Sequence, residues 1–163
     1  MRLVLDTCIC IDLNESDCLY TLKSLPYKVC ISSVLANELE NPSLEKMVNA
    51  GCTVLKPPFE HMLRLDELII KYRKTSAGDL TSMLTAQAYG AILVTGDAEL
   101  RKAAETENVT VHGLLWLLDE MVDNNVLKPR EAAKYLKIML SRDRRLPLNE
   151  CEQRIKKWTK SNE

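Results

Sequence analysis

Short β-rich apolar runs alternate with helix-length segments along this chain, and that alternation constrains the fold more than any other feature. The runs fall at about residues 2–6, 28–32, 52–55, 91–95 and 109–111, each the length of a strand. Helical patterns are predicted between them at 33–41 and 43–50, 59–74, 79–89 and 98–107, and beyond the last run at 113–124, 130–141 and 149–160. Strands separated by helices build βαβ units with right-handed crossovers, so the expected architecture is a three-layer α/β fold: a central parallel β-sheet of about five strands flanked by helices. The punctuation agrees. Pro42 ends or kinks the helix after the second run, Pro57-Pro58 forbid continuous helix before Phe59, and Gly51 and Gly90 stand at helix-ending positions just ahead of strands. After Val111 the pattern is entirely helical, with Lys128-Pro129 opening one helix and Leu146-Pro147-Leu148 parting it from the next. Nothing there resembles a flexible linker. The 163 residues are therefore read as one domain, a core at about 1–115 with C-terminal helices at about 113–160.

Several function classes are excluded early. The N-terminus enters a strand pattern at Arg2 without a basic n-region or an apolar h-region, and no apolar run approaches the roughly 20 residues of a membrane span. A cytoplasmic protein with no membrane partner is expected. Six cysteines, at 8, 10, 18, 30, 52 and 151, lack zinc-ligand spacing, since Cys8-Ile9-Cys10 is CxC and His61 and His112 have no partner at ligand spacing. They are read as small buried hydrophobes. Net charge is only −1, but its distribution is uneven: residues 1–127 carry 11 Lys and Arg against 18 Asp and Glu, while residues 128–163 carry 11 against 5. An acidic body with a basic tail suits a polyanionic partner.

The chemistry rests on four acids. Asp6 follows the first strand run directly, Asp97 follows Ala91–Gly96, Asp79 opens the helix after Gly78, and Glu38 lies just over one turn into the helix after the second strand. Each has a structural reading of its own. An aspartate at a strand–helix junction is a common cap, and a lone helical glutamate usually faces solvent. Their joint placement tells against four independent caps, because parallel strands share a carboxyl edge where ligands bind. Carboxylates gathered there repel one another unless a cation lies among them, and all-oxygen ligands suit Mg²⁺ or Mn²⁺.

Four segments carry a resemblance. Val4-Leu5-Asp6-Thr7, Ser32–Leu39 with Glu38, Gly78-Asp79 before a small-residue helix, and Leu93–Leu100 with Asp97 resemble the four signature blocks of PIN-domain nucleases, in the right order. The resemblance implies a Rossmann-like sheet, a divalent-metal site built from Asp6, Glu38, Asp79 and Asp97, and cleavage of single-stranded RNA. It also implies kinship with VapC-type toxins, which small antitoxins inhibit. The C-terminal region resembles that of a prokaryotic PIN-like subgroup. Where some relatives carry an additional acid beside the last aspartate, this chain has Gly96. That leaves one metal or two an open choice.

Roles follow from metal-assisted phosphodiester hydrolysis. Asp6 and Asp97 are expected to hold the principal metal, Asp79 to complete its shell or bridge to a second ion, and Glu38 to ligate or orient water. Thr7, Ser32 and Thr95 would position carboxylates or phosphate. Candidate RNA contacts are Lys71, Arg73, Lys74, Arg101, Lys102, Arg142, Arg144 and Arg145. Trp116 is expected in the core and Trp158 toward a partner. A homodimer or antitoxin interface is expected on the helical surfaces at 33–50 and 59–74. The rival to the nuclease is a catalytically weak module of the same fold that binds nucleic acid or protein and uses the acids as caps.

Overall fold

The computed structural model describes residues 1–142 and 146–160. In chain order these form β1 (Arg2–Leu5), α1 (Thr7–Glu15), a 3₁₀ segment (Leu19–Ser24), β2 (Lys28–Ser32), α2 (Ser33–Glu38), α3 (Leu44–Asn49), β3 (Thr53–Leu55), α4 (Phe59–Met62), α5 (Leu65–Lys71) and α6 (Ala77–Ala88). They continue as β4 (Ile92–Val94), α7 (Ala98–Thr106), β5 (Val111–His112), α8 (Leu114–Asp123), α9 (Pro129–Ser141) and α10 (Leu148–Thr159).

The five strands make one parallel sheet in the order β3-β2-β1-β4-β5. A central parallel strand is buried on both faces and needs apolar residues throughout. β1 meets that demand, since Leu3, Val4 and Leu5 are all fully buried. Alternation along the strands divides the core. Leu3, Leu5, Val29, Ile31 and Val94 point to one side, against α1 and the C-terminal helices, while Val4, Cys30 and Leu93 point to the other, against α6 and α7. The sheet thus lies between two helical layers, as the alternation predicted.

The strand order also fixes where a crevice forms. From β1 the chain winds outward through β2 to β3, then returns to place β4 on the other side of β1. The order therefore reverses between β1 and β4, and the carboxyl end of such a switch point is where open α/β sheets bind ligands. Leu5 pairs with Val94, so the two strands end level.

Some boundaries differ from those predicted. The 59–74 helix is two, α4 and α5, broken around Leu63 and Arg64, where the Arg64 guanidinium turns to Gln87 (3.1 Å) and Glu107 (3.3 Å). The fifth strand begins at Val111, because Asn108 takes a left-handed φ of 59° as the chain leaves α7. Gly51 and Gly90 have φ of 100° and 59°, the conformation in which glycine ends a helix at no steric cost. Trp158 is buried at 3% exposure among the C-terminal helices, so it does not face a partner; its helix carries an apolar stripe of Cys151, Ile155 and Trp158 that packs inward. Trp116 is half-buried rather than enclosed. All six cysteines are free, five buried and Cys8 half-buried. No helix among the described residues is long and apolar enough to cross a membrane.

Candidate active site

Asp6 leaves β1 with its backbone N–H still bonded to Val94 O (3.1 Å), so the carboxylate is fixed where the two strands end. It caps α1, with Oδ1 accepting from Ile9 N–H at 3.0 Å. The Thr95 hydroxyl donates to Oδ2, and the Cys8 thiol donates to the same carboxylate at 3.0 and 3.1 Å. Asp6 is 1% exposed. Burial pushes its pKa up to about 6, against the lowering effect of the Cys8, Thr95 and Ile9 hydrogen bonds and with some help from the charge of Asp79.

The β4 tip is joined to this group through shared atoms. Thr95 Oγ accepts from Asp97 N–H (3.0 Å) while its hydroxyl donates to Asp6, and Cys8 Sγ accepts from Gly96 N–H (3.3 Å) while its thiol donates to Asp6. Burial and the Asp6 charge push the Cys8 thiol well up, so it stays protonated and serves as a donor. Asp97 then caps α7 through Oδ1 to Leu100 N–H (2.9 Å). Two strand tips therefore form one hydrogen-bonded unit.

Asp79 and Glu38 approach from neighbouring helices. Ser76 caps α6 by accepting from Asp79 N–H (3.1 Å), which sets Asp79 in the first turn. Burial raises the Asp79 pKa, Ser76 opposes this, and the charges of Asp97 and Glu38 raise it further. Glu38, the last residue of α2, is exposed and reaches the start of α6: a Cβ built on Gly78 would stand 3.3 Å from Glu38 Oε2. Gly78 thus keeps that approach open. Asp79 links the four acids electrostatically: it feels the charges of Asp97 and Glu38, and Asp6 feels that of Asp79.

The donor set fits a hard divalent cation, being four carboxylates with no cationic side chain bonded to any of them among the described residues. Their oxygens are not gathered into a finished shell: no group of three or more His, Cys, Asp or Glu among the described residues stands in a metal-holding arrangement. Asp6 and Asp97 each commit an oxygen to a helix cap.

The other predicted site residues divide. Thr95 meets Asp6 and Asp97 as described. Ser32 is buried, but its hydroxyl caps α2 at Leu35 N–H (3.2 Å). Thr7 opens α1 and makes no side-chain hydrogen bond among the described residues. Lys71 is turned away to Glu107 (3.3 Å), Lys102 pairs with Glu99 (3.6 Å) and Arg142 with Glu15 (3.8 Å). Arg73 and Lys74 are exposed between α5 and α6. Arg144 and Arg145 lie outside the described residues. Cys8 is not among the predicted site residues, although its position, two residues past a strand-end aspartate, is where a first-turn side chain can fold back on that carboxylate.

A family model described as a PIN domain matches residues 2–160. No curated protein matches the chain. Among solved structures it is similar to the crystal structure of VapBC2 from Rickettsia felis bound to a DNA fragment from their promoter, at 19% identity and a TM-score of 0.51, over 69% of this chain and 98% of that one. At that identity the likeness concerns the fold.

Proposed function

The chain belongs to the PIN-domain family, and from that premise we propose that it is a metal-dependent endoribonuclease that hydrolyses phosphodiester bonds of single-stranded RNA. One observation supports the reading: Asp6 and Asp97 are joined through Thr95 at the β1/β4 switch point and Asp79 is coupled by charge to Asp6, Asp97 and Glu38, with the pKa values of Asp6 and Asp79 raised chiefly by burial and no cationic side chain bonded to the four acids among the described residues. Asp6, Asp97 and Asp79 would hold Mg²⁺ or Mn²⁺, with Glu38 at the open side. A divalent ion supplies Lewis acidity and a water acidified enough to attack phosphorus. Thr95 and Cys8 hold the Asp6 carboxylate in one rotamer by donating to it from two directions. The α7 cap holds Asp97, and the Ser76 cap holds Asp79 at the start of α6. Glu38, the most exposed acid, is placed to accept a proton from incoming water or to ligate.

The test is cleavage of single-stranded RNA by purified protein with Mg²⁺ or Mn²⁺, abolished by EDTA. Wild-type rates in both Asp6→Asn and Asp97→Asn would remove the catalytic assignment and leave the weak binding module. For the biological role, the resemblance to VapC-type toxins and the similarity to VapBC2 support one half of a toxin–antitoxin pair. A small gene adjacent to this one whose product suppresses the activity is the expected finding. The exposed Phe59 on α4, Leu63 in the break and Ile70 on α5 support a homodimer or antitoxin contact on the 59–74 surface, which light scattering with and without that product would register.

A further inference from the structure

The corner between α7, β5 and α8 carries groups that the carboxylates do not use. A cavity of about 410 Å³ opens there, and Thr95 and Gly96, which join β4 to Asp97, form part of its wall. Its size falls in the roughly 300–1,000 Å³ range of small-ligand sites. Arg101 lines it, four residues along α7 from the Asp97 cap and so on the same helix face. Arg101 makes no ion pair among the described residues. The guanidinium lies over Gly113, where a Cβ would stand 2.9 Å from Nη2 and 3.6 Å from Thr95 O and would displace the guanidinium from this position. Beside it the rings of His112 and Trp116 stack at 4.3 Å with 10° between their planes, and both are half-buried. Burial and the Arg101 charge lower the His112 pKa, which keeps the imidazole neutral near pH 7.

We propose that this corner is a nucleotide pocket, in which Arg101 holds a phosphate next to the scissile one and the base of that nucleotide lies against the His112–Trp116 stack. The proposal rests on the ribonuclease reading for its substrate. An uncommitted planar guanidinium matches phosphate geometry, and flat aromatic surface accepts a base of any sequence. The wall shared with the Asp97 loop, through Thr95 and Gly96, sets such a nucleotide beside the β4 tip that carries Asp97. A guanidinium with no ion pair among the described residues favours a polyanion backbone there over a peptide.

The probes are the four nucleoside 5′-monophosphates, titrated in EDTA while the fluorescence of Trp116 is followed over the constant background of buried Trp158. Saturable quenching is expected, with Kd raised about tenfold or more in Arg101→Gln and partly restored in Arg101→Lys. Gly113→Ala keeps the charge but crowds the guanidinium, and should weaken binding as well; it serves if Arg101→Gln does not fold by circular dichroism. On RNA, Arg101→Gln should raise KM more than it lowers kcat. Identical titrations for wild type and folded Arg101 variants overturn the pocket, as does quenching by a peptide where no nucleotide quenches. If RNA is cut but KM ignores Arg101, the pocket fails and the nuclease stands. Should nucleotides bind through Arg101 while no metal supports cleavage, the nuclease fails and the pocket stands.

Discussion

Helix α7 has an acid at each end, and the two are treated in opposite ways. Glu107, at its C-terminal end, receives Tyr72 Oη at 3.1 Å, Lys71 Nζ at 3.3 Å and Arg64 Nη2 at 3.3 Å. Burial alone would raise its pKa, but those three donors carry it below the usual carboxylate value. Asp97, at the N-terminal end, has no cationic partner among the described residues and is coupled by charge to Asp79, and there Asp6 and Asp79 are raised. The chain supplies its own cations where a carboxylate is a fixed structural part. Around Asp6 and Asp97 the described residues bond no cationic side chain to the carboxylates, and a metal ion is the cation proposed for that role.

That contrast can be broken most directly at the ion. EDTA, or Asp97→Asn, should lower RNA cleavage by roughly 10³-fold, the several kcal/mol a metal contributes to transition-state charge. Glu107→Gln should leave the rate per folded molecule unchanged. Stability should then move in opposite directions at the two centres. Asp6→Asn keeps the α1 cap and removes a buried charge whose pKa stands at about 6 against 3.8, so metal-free protein at pH 7 should gain up to about 3 kcal/mol in urea unfolding. Glu107→Gln leaves Arg64 and Lys71 without their anion and should lower stability, by a modest amount because both cations are partly exposed and screened by solvent. A loss in Asp6→Asn would mean its charge is already compensated, and the contrast would fall.

The same two centres show what a sequence can disclose. Strand periodicity and the aspartate at each strand end sufficed to place Asp6 and Asp97 together, because a parallel sheet leaves few topologies to choose from. Asp79 was legible through the Gly-Asp opening of an apolar helix. The Glu107 cluster was not, since Arg64, Lys71 and Tyr72 come from a segment that reads as one continuous helix, and only its break at Leu63 turns Arg64 inward. Helix α1 was obscured for a related reason: Thr7-Cys8-Ile9-Cys10-Ile11 is β-branched and apolar, and its helical state depends on the Asp6 cap and burial of Ile9, Cys10 and Leu13. With the bounds and face of α1 not legible from this pattern, the position of Cys8 over the Asp6 carboxylate could not be read.

Cys8 gives the smallest effect and the finest test of the contrast. Its thiol donates to Asp6 and so favours the ionised carboxylate, working against the burial that raises the pKa. Metal ligands must be deprotonated, so affinity for Mg²⁺ should fall as pH drops through about 6 and activity should show an acid limb there. For folding of the metal-free protein the sign is reversed. The raised pKa of Asp6 gives stability that is complete below 3.8 and lost as pH rises through about 6, whereas the lowered pKa of Glu107 gives stability present above 4.5 and lost in acid. Cys8→Ala removes one of the donors that restrain Asp6, so its acid limb should move to higher pH and its rate at pH 7 should fall by about 10-fold, as for other groups that orient a metal ligand. Cys8→Ser restores a donor and should return the limb toward the wild-type position. Were the limb to stay at the same pH in all three proteins, Asp6 would not be the group that titrates there.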